Sequence, residues 1–127
     1  MTTPETNKEQ DENTEVKVLR PYTDEQVEEH AAKSGGRRNL REIAIDTDDG
    51  YQFVYLVKKP SKNLMQAIAA EESKKDKANV TTLQNLMLGC VLEGDKDVYE
   101  NDGAVYMQLV KNIGSLVKTA HGDLKKI

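Results

Sequence analysis

The chain has no tryptophan, one phenylalanine, one cysteine and three prolines in 127 residues. A lone cysteine, Cys90, has no partner within the chain, which excludes an internal disulfide framework. Long apolar runs are also missing. The longest strictly apolar stretch is Phe53-Val54-Tyr55-Leu56-Val57, far short of the ~20 residues that cross a bilayer as a helix. Met1 to Glu9 holds neither a basic n-region nor an apolar h-region. No secretory signal or membrane association is expected, and the expected compartment is the cytoplasm. Two histidines, His30 and His121, stand in separate polar segments with no metal-ligand spacing around them. There is no Gly-rich phosphate loop and no Gly-x-Ser-x-Gly elbow. No catalytic residue, metal ligand or cofactor is therefore assigned, and no enzyme is expected.

What is present is charge, and its distribution is uneven. Charged residues make up 31% of the chain and hydrophobic residues 37%. Residues 1–35 hold nine acids against four bases, whereas the remaining residues hold thirteen against fourteen. An acidic leader thus precedes a balanced remainder, a pattern unlike that of a general nucleic-acid binder.

The leader, residues 1–37, is expected to be largely disordered. Residues 1–19 have no apolar period until Val16, and deleting residues 1–20 is expected to leave thermal stability nearly unchanged. Within the leader, residues 23–33 predict a short marginal helix. Thr23 and Gln26 have capping-box spacing, Asp24 and Glu25 suit the first turn, and Gly35-Gly36 offers a left-handed stop. Its apolar stripe is only Val27 and Ala31.

One α+β domain is expected over residues 38–122, with a frayed tail at 123–127. Residues 40–59 predict a β-hairpin turning at Asp46-Thr47-Asp48-Asp49-Gly50. Ile43 and Ile45 share one face by the period of two, as do Tyr51, Phe53, Tyr55 and Val57. Val54 and Leu56 make the second strand apolar on its other side too. That strand is either buried on both faces or offers one to a partner. Pro60 ends it. A helix is predicted over about 62–76, capped by Ser61, with Leu64, Met65, Ile68 and Ala69 on one face and Glu71 paired to Lys75. A second is predicted over 80–93, with Leu83, Leu86, Met87, Cys90 and Val91 at helical spacing and Gly94 as its stop. A third, long helix starts at Asn101 or Asp102 and runs to His121, carrying Val105, Tyr106, Leu109, Val110, Ile113, Leu116, Val117 and Ala120. Gly114 inside it would let a neighbouring helix approach closely. The hairpin is expected to pack against these three helices.

Cys90, on an apolar helical stripe, reads as a small buried hydrophobe. Asp46, Asp48 and Asp49 resemble part of a calcium loop but lack its closing glutamate. Arg37, Arg38 and Arg41 precede the hairpin, and Lys58, Lys59 and Lys62 follow it. Antiparallel strands bring these two groups to one end, a candidate nucleic-acid or acidic-protein site. The alternation of Tyr51, Phe53 and Tyr55 offers a base-stacking face, or simply a core face.

The order of elements suggests a family. A strand ending Val57-Lys58-Lys59-Pro60-Ser61 runs directly into a helix. Next comes Leu86-Met87-Leu88-Gly89-Cys90-Val91-Leu92-Glu93-Gly94-Asp95, and then a long amphipathic helix with Ile113-Gly114-Ser115-Leu116-Val117. Over about residues 50–120 this resembles the small tail assembly chaperones of tailed phages and prophages. The resemblance implies a non-catalytic protein that binds tape-measure or tail-tube protein in the bacterial host cell. Val54, Leu56, Lys58, Lys59 and Pro60 are then the candidate partner-binding residues. Self-association through an exposed hairpin edge is a further possible partnership. The alternative is a small nucleic-acid-binding regulator using Arg37, Arg38, Arg41, Lys58, Lys59 and Lys62.

Overall fold

The apolar run Phe53–Val57 sets the architecture, because it is buried on both sides. A computed structural model describes residues 15–127; the expected disorder of residues 1–14 lies outside the described residues. The fold is α+β, with a mixed four-stranded sheet and five α-helices among the described residues. Strands β1 (Lys17–Leu19), β2 (Leu40–Asp46), β3 (Tyr51–Lys58) and β4 (Val91–Glu93) are arranged around β3. The expected hairpin is formed by β2 and β3, paired antiparallel without interruption from Leu40↔Lys58 to Asp46↔Gln52. The other edge of β3 is shared. β1 runs parallel to its start, Lys17↔Tyr51 to Leu19↔Phe53, and β4 runs antiparallel to its end at Leu56 and Val57, with a bulge between them.

Strand alternation divides the side chains of β3 between two cores. Phe53, Tyr55 and Val57 join Ile43 and Ile45 on one face, against Cys90, Tyr99, Val105, Leu109 and Ile113. Val54 and Leu56 join Leu40 on the other, against Tyr22, Val27 and Ala31. The second core is built by helix α1 (Asp24–Lys33), which starts with the expected Thr23–Gln26 capping box. α1 therefore lies against the sheet, and its narrow stripe is fully used. A domain start at residue 38 would leave α1 and β1 out, yet both pack on β3. The expectation that residues 1–20 are dispensable is likewise revised, since Lys17–Leu19 hold a place in the sheet. Arg20, Tyr22 and Glu42 clip this segment down. The Tyr22 hydroxyl and Arg20 Nε both donate to Glu42 Oε2 at 2.6 Å, and the Arg20 guanidinium stacks 4.3 Å over the Tyr22 ring. On the far side of α1, His30 Nε2 meets Glu93 Oε2 at 2.9 Å.

Helices α2 (Lys62–Glu72), α3 (Val80–Leu88), α4 (Lys96–Asn101) and α5 (Gly103–Ser115) follow. Ser61 caps α2 as expected, accepting from Leu64 N–H at 3.2 Å. α2 stops at Glu72 rather than 76. Glu71 does not pair with Lys75; it is buried and bridges the α2–α3 joint, accepting from Lys74 Nζ at 3.0 Å and from Asn79 N–H at 2.8 Å. The predicted helix 80–93 is two elements. Gly89 caps α3, and Val91–Glu93 turn into β4. The predicted long helix starts as expected, with Asp102 capping α5, but ends short in a 3-10 turn at Leu116–Lys118, leaving Ala120 and His121 exposed; the stretch just before it is a further helix, α4, capped by Asp95.

Gly94 is not a helix stop. It leaves β4 with φ +135°, directly against the Tyr55 ring, where a Cβ would lie 2.1 Å from Cδ1. Nothing lies within 4 Å of where a Cβ on Gly114 would sit, so no helix exploits that glycine.

Candidate functional site

The open ends of β2 and β3 meet beside the C-terminus of α1, and backbone geometry holds them there. Lys59 N–H donates to Asn39 C=O at 2.8 Å, and Gly36 N–H to Ala31 C=O at 2.8 Å. Asn39 Nδ2 donates to Ser34 C=O at 2.7 Å, and a Cβ on Gly35 would crowd that same nitrogen at 2.8 Å. Gly35 and Gly36 both have positive φ, so the expected left-handed stop is what reverses the chain from α1 into β2. Pro60 and Ser61 then carry β3 into α2.

The result is a cleft of about 370 Å³ lined by Lys33, Ser34, Asn39, Lys58, Lys59, Pro60 and Ser61. Three lysines are among its lining residues, and no aspartate or glutamate is. Arg37, Arg38 and Arg41 stand at the same end of the sheet, with Arg41 Nη1 donating to Arg38 C=O at 2.8 Å. Lys62 opens α2 one residue past the cleft and is exposed. Among the described residues, Arg37 alone of this group is ion-paired, to Glu28. The basic residues predicted to converge are therefore together, and Lys33 joins them. Sequence reading missed Lys33 because its place depends on α1 docking against the sheet.

The apolar half of the predicted partner site is not on the surface. Val54 is 6% exposed and Leu56 1%, both covered by α1. Of the five partner-binding candidates, Lys58, Lys59 and Pro60 line the cleft; Val54 and Leu56 are core. The stacking face is also a core face. Tyr55 is fully buried, Phe53 nearly so, and Tyr51 stacks on Phe53 at 5.6 Å.

Among the described residues, the remaining titratable groups do not gather at one place. Cys90 is fully buried, and burial pushes its thiol pKa up, so it is a poor nucleophile. The Tyr22 hydroxyl is held neutral by burial and by its bond to Glu42, while that bond and Arg20 hold the Glu42 carboxyl below the usual range. Among the described residues no group of three His, Cys, Asp or Glu is placed to hold a metal ion, and no helix is long and apolar enough to cross a membrane. Comparison with protein-family models, curated proteins and solved structures finds no match to this chain.

Proposed function

We propose that the chain is a non-catalytic binding protein of the tail-assembly-chaperone kind, acting in the bacterial cytoplasm, and that it receives an acidic segment of tape-measure or tail-tube protein in the basic cleft. The observation that carries this reading is the cleft itself: Lys33, Lys58 and Lys59 line it with Asn39 and two serines, and among the described residues no carboxylate lines it or pairs with these lysines. Lysines left unpaired attract an anionic partner and speed its encounter. Both apolar faces of β3 serve the protein's own cores, so the basic end replaces the apolar strand face as the docking element.

The test is capture of the gene's own neighbours by the full chain as bait, with wild type compared against Lys58→Glu/Lys59→Glu. Recovery of a tape-measure or tail-tube protein by wild type, lost in the double variant, is the expected result. Recovery unaffected by the charge reversal overturns the cleft assignment, and metabolic neighbours overturn the family reading.

A second reading, a small nucleic-acid-binding regulator, draws on Arg38, Arg41 and Lys62, which stand at the same end and form no ion pair among the described residues. A salt-sensitive gel shift with mixed DNA and RNA supports it; no shift at low salt removes it.

A further inference from the structure

Strand β2 has one edge in the sheet and one outside it. Thr47 N–H donates to Tyr51 C=O at 2.9 Å and Lys59 N–H to Asn39 C=O at 2.8 Å. These bracket the ladder, so the odd-numbered residues of β2 bond to β3 in the observed register. The N–H and C=O groups of Glu42, Ala44 and Asp46 consequently point away from β3; those of Leu40 point the same way but are taken, its N–H by Arg37 C=O and its C=O by Arg41 Nη1 at 2.8 Å. No strand among the described residues pairs with this edge. The edge is seven residues long and regular, with no bulge, proline or lysine in it. Those are among the devices by which edge strands avoid pairing; charge is another, and Arg41, Glu42 and Asp46 carry it here.

Charge along this edge is graded. Arg37, Arg38 and Arg41 lie at its start, and Asp46, Asp48 and Asp49 at its end. Two such edges set antiparallel are complementary.

We propose that β2 pairs antiparallel with β2 of a second copy across a two-fold axis at Ile43, joining the two sheets into one. The register follows from the charges. An axis at Glu42 sets that carboxylate against its own copy, and an axis at Ala44 sets Glu42 against Asp46; like charges directly opposite are unfavourable. An axis at Ile43 sets Glu42 against Ala44 and Leu40 against Asp46. Arg38, in the 3-10 turn that leads into β2, and Asp48, in the hairpin turn that follows it, then stand at the same ends of the joined edge, twice over by symmetry, while Arg37 is held by Glu28. Outward-pointing residues meet outward-pointing residues, as an antiparallel ladder requires.

Analytical ultracentrifugation of the full chain at micromolar concentration, in low and high salt, tests this. Wild type sediments as a dimer that loosens with salt. Ala44→Pro removes an N–H that β3 does not use, a position where an edge strand tolerates proline; it gives a monomer with an unchanged circular dichroism spectrum. Arg38→Asp weakens the dimer by roughly fivefold to tenfold, given two modest surface pairs lost, and Arg38→Asp/Asp48→Arg restores it. A monomeric wild type at every concentration overturns the proposal, as does a folded Ala44→Pro dimer. Should Ala44→Pro fail to fold, the charge swap decides: a double variant no tighter than Arg38→Asp is refutation.

Discussion

Replacing Gly94 with alanine probes the first core at its tightest point. A Cβ there would lie 2.1 Å from Tyr55 Cδ1 and 2.8 Å from Cε1, and the backbone sits at φ +135°. Tyr55 has little freedom to move. Its ring is fully buried, its hydroxyl donates to Asp95 C=O at 2.7 Å, and the Tyr99 ring lies 5.9 Å away. Holding a non-glycine residue in such a backbone conformation costs about 1–3 kcal/mol. Overpacking a fixed core costs about 1–3 kcal/mol more. The combined loss, about 2–6 kcal/mol, is large against a domain stability of about 5–15 kcal/mol. It corresponds to a melting temperature lower by roughly 8–24 °C. Urea and thermal unfolding followed by circular dichroism measure it. The steric and backbone parts separate in a double-mutant cycle. In a Tyr55→Leu background the ring is gone, so Gly94→Ala should be milder by about 1–3 kcal/mol while the backbone cost stays. A Gly94→Ala protein within about 0.5 kcal/mol of the parent would refute the contact between β4 and the Tyr55 ring.

Gly114→Ala should act in the opposite direction. A Cβ there meets nothing within 4 Å, so urea unfolding should show a gain of up to about 1 kcal/mol from helix propensity. Val27→Ala removes two buried methyl groups beneath α1 and should cost about 1–2 kcal/mol in the same assay; no change would mean that α1 is not docked. The acid limb of stability should depend on Glu42. Its carboxyl is held low, first by the Tyr22 hydroxyl and also by Arg20, so its contribution is present above the usual glutamate range and is lost as pH falls through its folded value. Glu42→Gln should flatten the melting temperature between neutral and acid pH, by an amount under about 1 kcal/mol because the pair is partly solvated; an unchanged acid limb would dissolve the clip.

The elements that were legible are those specified by local chemistry. Thr23 with Gln26, Ser61, the Asp-Asp-Gly turn and the period-two runs each act within a few residues, and each is in place. The misread segment, Leu86 to Gly94, fails for the same reason. Leu86, Met87, Cys90 and Val91 fit a helical period, but short apolar runs do not distinguish helix from buried strand. What decides there is long-range. The Lys58 N–H donates to Cys90 C=O at 2.9 Å, and the remaining edge of β3 recruits Val91–Glu93 as a strand. Sequence spacing holds no record of that vacancy. Glu71 illustrates the same point in side-chain form: its spacing to Lys75 suggests a surface pair, and its partners are Lys74 and the backbone of Asn79 beyond the helix end.

The site divides along the same line. That Arg37 to Arg41 and Lys58 to Lys62 meet follows from antiparallel pairing alone, once the hairpin is recognised. Whether Val54 and Leu56 face a partner or the protein's own core depends on a different segment, α1, whose stripe of Val27 and Ala31 is too narrow to announce itself. Narrowness is a poor guide here because the surface to be covered is equally small: Leu40, Val54 and Leu56 form the strip, and Tyr22 adds an aromatic ring at one end of it. A short helix needs little area of its own when a clip holds its entry and the sheet supplies the rest. Once α1 covers that strip, no large apolar face of β3 remains open among the described residues, and both proposals therefore rest on charge and on a strand edge. The basic cleft and the free edge of β2 are what that leaves open.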